Sequence, residues 1–543
     1  MHFRWSRRRT AMLVLLCGAL PFMTATAQGA ATVPLSDPAY LDIDRLAALG
    51  ALDSVIIGQR PYSRRELARI VRVALAGKGA GGAPPLVSGP LARLARRFDE
   101  EALAQQKAFE PLADGSGLAL SSTDAPRRGF SGSITRSLEA TISPLAERRL
   151  GGPAVTGQIA ALELSHELSP ASWLAFNATE RIEARDARTT AAPSWKGELL
   201  LGGGRARYRN VALSIGRQQV AWAQHRADGL FLASDGPALD LVALSSDAPF
   251  RMPGFLGALG PTQGTLLVAE LGPSAVRSMS KLLAYKVSVQ PRRSLELGAT
   301  FMNHYGGAGG RASGLGTRIV DFLPFVDIFR GHNYTDTTRA LDVDSDKLLG
   351  VDGRWRSGGL GGLVLTTELL IDDFDVHRIP TIFTWDGAQT FGAALPTVAG
   401  SRISARVSAK HTGVRTYTHG SLSNGITTRG RLLGDELGPD AKSFGGEIGW
   451  HPDQGLRGTV EVVSAIMSRA DYVAVEQGSF FGIRRLGPAT NELRDRIVVS
   501  AITELRPGWM LTWRGGAERV RNADFAGGVR RDYVVDVALR LVR

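Results

Sequence analysis

Tyr533-Val534-Val535-Asp536-Val537-Ala538-Leu539-Arg540-Leu541 decides the reading of this chain. Tyr533, Val535, Val537, Leu539 and Leu541 are apolar, with Val534, Asp536, Ala538 and Arg540 between them. A strand sends successive side chains to opposite faces, so this segment has one greasy face and one wetter face. Leu295, Leu297, Ala299 and Phe301 repeat the pattern against Ser294, Glu296, Gly298 and Thr300. Leu363, Leu365, Thr367, Leu369 and Ile371 repeat it against Thr366, Glu368 and Asp372. Shorter versions are Leu162 and Leu164 against Glu163 and Ser165, and Leu174, Phe176 and Ala178 against Ala175, Asn177 and Thr179. From Arg127 to Arg543 such segments recur at spacings of roughly 10 to 25 residues, separated by turn residues. Turns are predicted at Ser169-Pro170, Gln290-Pro291 and Pro452-Asp453-Gln454-Gly455. Long connections are predicted from Asn303 to Asp346, Asp373 to Gly400 and Asp471 to Ala489. Short turns at one end and long loops at the other are the asymmetry of a membrane β-barrel with lipid outside and water inside. The strand-rich part has room for roughly 16 to 20 strands. A soluble β-sandwich carries similar alternation. No blade-length repeat supports a propeller.

The first residues have the three parts of a secretion signal. Arg4, Arg7, Arg8 and Arg9 are the positive region, Ala11 to Phe22 the short apolar core, and Ala25-Thr26-Ala27 the cleavage site. The signal is therefore placed at residues 1–27, and the mature chain is expected to start at Gln28. Cys17 is the only cysteine, and it lies inside that leader. The mature chain then has no disulfide and no thiolate nucleophile. No apolar run later in the chain has the length of about 20 residues that a membrane-spanning helix needs.

Residues 28–125 read as a small helical domain. Ser36-Asp37-Pro38 is a helix start, Tyr40, Leu41, Ile43, Leu46, Ala47 and Leu49 carry a helical stripe, and Gly50 stops it. A second helix starts at Ser63, where Glu66 completes a capping box and Tyr62 and Leu67 take the staple positions. It runs to about Ala76. A Gly/Pro-rich loop over Gly77 to Pro85 leads to a third, arginine-rich helix over Leu91 to Ala108. Residues 126–543 form the barrel.

The formal charge is +12, and the leader carries four arginines and no acid, which leaves +8 on the mature chain. That balance favours acidic partners: anionic polysaccharide or lipopolysaccharide headgroups, with nucleic acid excluded by a secreted address. Catalytic signatures are poor. Gly307-Ala308-Gly309-Gly310-Arg311-Ala312 imitates a dinucleotide fingerprint but lacks the strand–turn–helix setting. There is no phosphate-binding G-x-x-x-x-G-K-[ST] and no G-x-S-x-G elbow. His411 and His419 complete no metal-ligand spacing. Asp372 and Asp373 read as lumen or loop acids rather than an acid–base pair. The candidate binding residues are aromatic and basic groups in predicted loops: Trp222, His225 and Arg226; His304, Tyr305 and Arg311; Tyr334 and Arg339, beside His332; and Trp385. Aromatic faces stack on sugar rings, and arginine forks bind carboxylates or phosphates. The competing reading is an interfacial aromatic girdle with arginines lining a lumen.

Three ordered stretches carry a family resemblance. The first is Tyr40-Leu41-Asp42-Ile43-Asp44-Arg45-Leu46-Ala47-Ala48-Leu49-Gly50, continued by Gly58-Gln59-Arg60-Pro61-Tyr62-Ser63-Arg64-Arg65-Glu66. The second is Ile215-Gly216-Arg217-Gln218 with Trp222, then Ser245-Ser246-Asp247-Ala248-Pro249-Phe250. The third is Leu349-Gly350-Val351-Asp352-Gly353-Arg354-Trp355-Arg356, followed by Ile371-Asp372-Asp373-Phe374. Together they resemble the Wzi capsule-assembly family. The resemblance implies a mainly β, antiparallel outer-membrane barrel of about 18 strands with an N-terminal helical domain in the periplasm. It implies a lectin-like, non-enzymatic monomer without a cofactor, which anchors exported polysaccharide at the cell surface. Ala223-Gln224-His225 departs from the family's Gly-Pro-Gly turn, and the chain ends Val542-Arg543 where such barrels often end in an aromatic residue. The rival function is a pore for small solutes or oligosaccharides. A third is an outer-membrane lipase or glycosidase.

Overall fold

The computed structural model describes residues 30–76, 85–106, 131–143, 157–185, 194–225, 229–234, 236–273, 275, 277–308, 322–323, 345–372, 381–417, 426–428, 431–469, 472–477, 480–485, 490–506 and 508–542. The predicted signal peptide lies outside them.

One antiparallel sheet of 19 strands dominates. Phe250–Arg251 is a two-residue strand paired only at the start of Pro261–Glu270. The other 18 each pair with two neighbours, in chain order. The last strand, Val529–Val542, pairs back onto the first, Ser131–Ser143, with Thr135 opposite Val542 and Ile142 opposite Val535. The ladder therefore closes into a barrel, and no ordinary strand edge is left unpaired.

Alternation sets the two faces. Ile215, Val242, Val351, Phe391, Val462 and Val535 are among the exposed outward side chains. Their neighbours Arg205, Lys286, Glu296, Asp352, Glu368 and Arg406 are buried inward. The C-terminal stretch obeys the same rule, with Tyr533, Val535 and Val537 exposed and Asp532 buried.

Connections differ between the two ends. Tyr208 to Val211, Arg292 to Leu295 and Trp450 to Arg457 are short turns at one end. Gln218 to Leu239, Tyr305 to Ser345 and Thr412 to Ala441 are long connections at the other. The turn at 452–455 falls where predicted. Pro170 and Pro291 do not turn the chain. Each sits near a register shift inside a strand pair, between Leu168 and Ala171 and beside Leu295–Leu297, and the turn follows after them. A bulge tolerates the missing proline N–H, which is why these positions imitate turns in sequence. The predicted loop from Asp373 to Gly400 contains the short helix Ile382–Trp385 and the strand Gly387–Leu395. The connection from Asp471 to Ala489 holds a hairpin, Tyr472–Gln477 paired with Phe480–Arg485.

Three helices precede the barrel: α1 at Ala39–Ala48, α2 at Arg64–Ala76 and α3 at Pro85–Gln106. Asp37 accepts the Ala39 N–H at 2.8 Å, and Gly50 ends the first helix at φ 73°, a left-handed conformation that suits glycine. Ser63 caps the second helix by accepting the Glu66 N–H at 3.1 Å. Glu66 turns instead to Arg69, so the capping box is half made. The third helix starts at Pro85, before the predicted Leu91, and carries Pro90 within its first turns. Ile43, Leu46, Leu67, Ile70, Leu91, Leu94 and Phe98 form its shared core with the other two. No helix among the described residues is long and apolar enough to cross a membrane.

Candidate functional site

The helical segment docks on the short-turn end of the barrel. Arg45 donates to the Pro396 carbonyl, Arg93 to the Asp453 carbonyl at 2.7 Å, and Arg205 to the Ala30 carbonyl at 2.9 Å. Arg457 pairs with Asp42 at 2.9 Å. From there residues 56–60 enter the lumen. Ile57 and Gly58 N–H groups donate to the two oxygens of Glu296, at 2.9 and 2.8 Å. Gln59 donates to the Gln263 carbonyl and to Ser288. A Cβ on Gly58 would stand 2.6 Å from the Gln224 amide nitrogen and 3.0 Å from Glu296, so a larger residue would have to push the Gln224 side chain out of its bridge.

A second segment, described at 219–225, 229–234 and 236–238, folds inward from the long-loop end. Gln224 and Leu230 donate their N–H groups to the two oxygens of Glu368, at 3.1 and 3.0 Å. The Gln224 amide bridges Glu296 and Asp352, at 3.1 and 2.6 Å. Lys286 pairs with Asp352. Asp352 and Glu368 stand directly opposite in register, where like charges repel. The lysine and the converging N–H groups offset that repulsion. Three carboxylates on adjacent strands thus clamp two inserted backbone segments.

Towards the long-loop end the lumen carries an apolar cluster. Trp222, Leu230 and Phe231 pack with Tyr417, Ile426 and Leu433 and with inward-facing Leu282, Met302, Leu348 and Leu370. Tyr417 donates to the Leu230 carbonyl at 2.7 Å. This narrows the expectation of a water-filled interior: Leu282, Met302, Leu348 and Leu370 receive loop aromatics, and the next inward positions towards the long connections, Ser280, His304, Asp346 and Asp372, are polar and buried. Across the barrel, a cavity of about 570 Å³ remains between α1 and the wall. Arg45, Arg60, Arg354, Arg406, Glu447 and His451 are among its lining residues.

The candidate residues fall in different places. Trp222 is 1% exposed and packs in the apolar cluster, so its ring is not an open platform. His225 lines the cavity beside α1. His304 and Tyr305 lie at the end of the strand Leu295–Tyr305 rather than in a loop. His304 is buried, with Nε2 2.9 Å from the Ser280 hydroxyl. Trp385 is buried at the end of its short helix, under the Arg415 guanidinium at 6.0 Å. Arg226, Arg311, Tyr334 and Arg339 lie outside the described residues. The clamp acids Glu296 and Glu368 were visible only as members of the wet face. Among the described residues, no group of three or more His, Cys, Asp or Glu could hold a metal.

The family model for capsule assembly protein Wzi matches residues 199–533. Among solved structures, Wzi of Escherichia coli, an outer membrane protein involved in group 1 capsule assembly and a carbohydrate-binding β-barrel, superimposes with a TM-score of 0.65. The two are 15% identical, over 94% of this chain and 99% of that one. OccD3 (OpdP) of Pseudomonas aeruginosa gives a TM-score of 0.44 at 10% identity, over 77% of this chain and 93% of that one. OccAB1 of Acinetobacter baumannii gives 0.43 at 11% identity, over 76% and 96%. No curated protein sequence matches this one.

Proposed function

The chain belongs to the Wzi capsule-assembly family, and on that premise we propose that it binds exported polysaccharide and anchors it at the cell surface. The family match over residues 199–533 carries this reading. The protein is an outer-membrane barrel that catalyses no reaction. Its short turns and helical segment face the periplasm, its long connections face outward, and residues 1–27 are removed on export. Residues 28–125 form the helical unit and residues 126–543 the barrel. The polymer is acidic, in keeping with the +8 of the mature chain. Lipid and lipopolysaccharide surround the barrel, which acts as a monomer.

The basic and aromatic groups of the long connections are the contact residues in this reading: Arg226, Arg311, Tyr334 and Arg339, with Tyr305 at the strand end. The pore alternative has a physical argument against it. The apolar cluster and the inserted residues 56–60, 219–225 and 229–234 occupy the lumen. Replacing Arg226, Arg311 and Arg339 together with glutamate should release polymer into the medium while synthesis and export continue. Retention by the unaltered protein should weaken with salt, since exposed charges are screened within about 8 Å at physiological ionic strength. Full retention by the triple variant would contradict the electrostatic part of the reading.

A further inference from the structure

The two segments that enter the lumen from opposite ends join main chain to main chain. Arg60 donates its N–H to the Ala221 carbonyl at 2.9 Å, and Ala221 returns its own to the Arg60 carbonyl at 3.0 Å. The next residue, Trp222, donates to the Leu232 carbonyl at 2.9 Å. Arg60 belongs to the connection between α1 and α2, at the short-turn end. Ala221, Trp222 and Leu232 belong to the connection between Gln218 and Leu239, at the long-loop end.

The join continues towards both rims. On one side the Arg60 guanidinium pairs with Asp44 of α1 and lies over the Tyr40 ring, 5.3 Å from its centroid. Asp42 of the same helix ties α1 to Arg457 of the barrel. On the other side Tyr417, from the connection between Thr412 and Ala441, donates to the Leu230 carbonyl and accepts the Asp435 N–H at 3.2 Å. Gln224 ties the middle, with its side chain on Glu296 and its N–H on Glu368. Arg60, Ala221, Trp222, Gln224, Leu230 and Tyr417 are all buried. Water does not replace a partner lost at such depth, so withdrawing either segment strands main-chain groups of the other.

We propose that the two ends of the lumen are one coupled device. Docking of the helical segment at the short-turn end holds the described parts of the connections Gln218 to Leu239 and Thr412 to Ala441 in place, and ordering of those connections strengthens the docking. Coupling between sites is reciprocal. A ligand that orders the long connections therefore favours docking of α1 by the same factor, and a partner that draws α1 away loosens the long-loop end. The coupling requires no particular ligand and is independent of polymer retention.

The test is amide hydrogen exchange of the full chain in detergent, with each perturbation made at one end and read at the other. Tyr417→Phe removes the hydroxyl that holds Leu230 and should speed exchange at Ile57 and Gly58 by about fivefold or more, the low end of couplings between sites. Arg457→Met removes the barrel partner of Asp42 and should speed exchange at Trp222 and Leu230 by a similar factor. Tyr417 and Ile57 pack in separate apolar clusters. Ala221→Pro takes away the N–H that the Arg60 carbonyl accepts, and it separates a route through the join from one through the barrel wall. In that background the effect of Tyr417→Phe at Ile57 and Gly58 should largely disappear. Folding of each variant is checked by its heat-modifiable gel mobility. If Tyr417→Phe, Arg457→Met or Ala221→Pro fails to fold, Leu433→Ala, Arg457→Gln or Gln224→Met takes its place, with the same direction expected. Far-end exchange unchanged in either arm would overturn the proposal, because coupling at equilibrium does not run one way. An undiminished far-end effect once the join is cut would overturn it too. Polymer retention is scored in cells, so its failure and that of this coupling are separate results.

Discussion

Three N–H groups converge on Glu296, from Ile57, Gly58 and the Gln224 side chain. An amide in its place keeps one acceptor and turns an N–H towards another N–H. Glu296→Gln should therefore loosen residues 56–60 by about 2 kcal/mol, the scale of a buried hydrogen bond to a charged group. Hydrogen exchange at Ile57 and Gly58 checks this, and unchanged protection would count against the clamp. Asp37 works at the other end of the segment. Burial raises its carboxyl, but Arg97, the Ala39 N–H and Arg540 outweigh burial and hold it below the ordinary 3.8. A lowered folded value means stability that is fully present above the unfolded value and is lost as pH falls through the folded one. Acidification below about pH 4 should thus destabilise α1 docking. Asp37→Asn should be less stable at neutral pH and lose part of that acid dependence, as read by protease release of the helical segment across a pH series.

The strands were legible because period two is written into them, as in Leu295–Phe301 and Tyr533–Leu541. The capped starts at Asp37 and Ser63 and the stop at Gly50 were legible for the same local reason. What was not legible was tertiary. Pro170 and Pro291 imitate turns because a bulge and a turn ask the same of a missing N–H. Trp222 and Trp385 carry the composition of a sugar-binding loop, yet both are buried. No local signal separates an aromatic that folds inward from one that waits for a ligand. Arg45 lies on the face of α1 opposite Ile43, Leu46 and Ala47, where no local pattern marks a charged residue as buried. The inserted segments carry a prediction of their own. Deleting residues 36–108 should remove both the helices and the Ile57 and Gly58 contacts to Glu296, and a folded deletion variant should conduct in planar bilayers where the intact protein does not. Equal conductance would argue against a closing role.

At the scale of the whole molecule, an 18-strand ring satisfies every ladder within itself, presents apolar side chains outward and closes its lumen with its own chain. Such a body suits holding a ligand at a surface better than passing one through. Retention of polymer is tested most directly by how a strain lacking this protein divides its polysaccharide between cells and medium. Such a strain should shed polymer into the medium with the total close to that of the parent, and complementation should restore retention. Surface polymer left untouched, with slower uptake of a small solute, would contradict it and favour a pore.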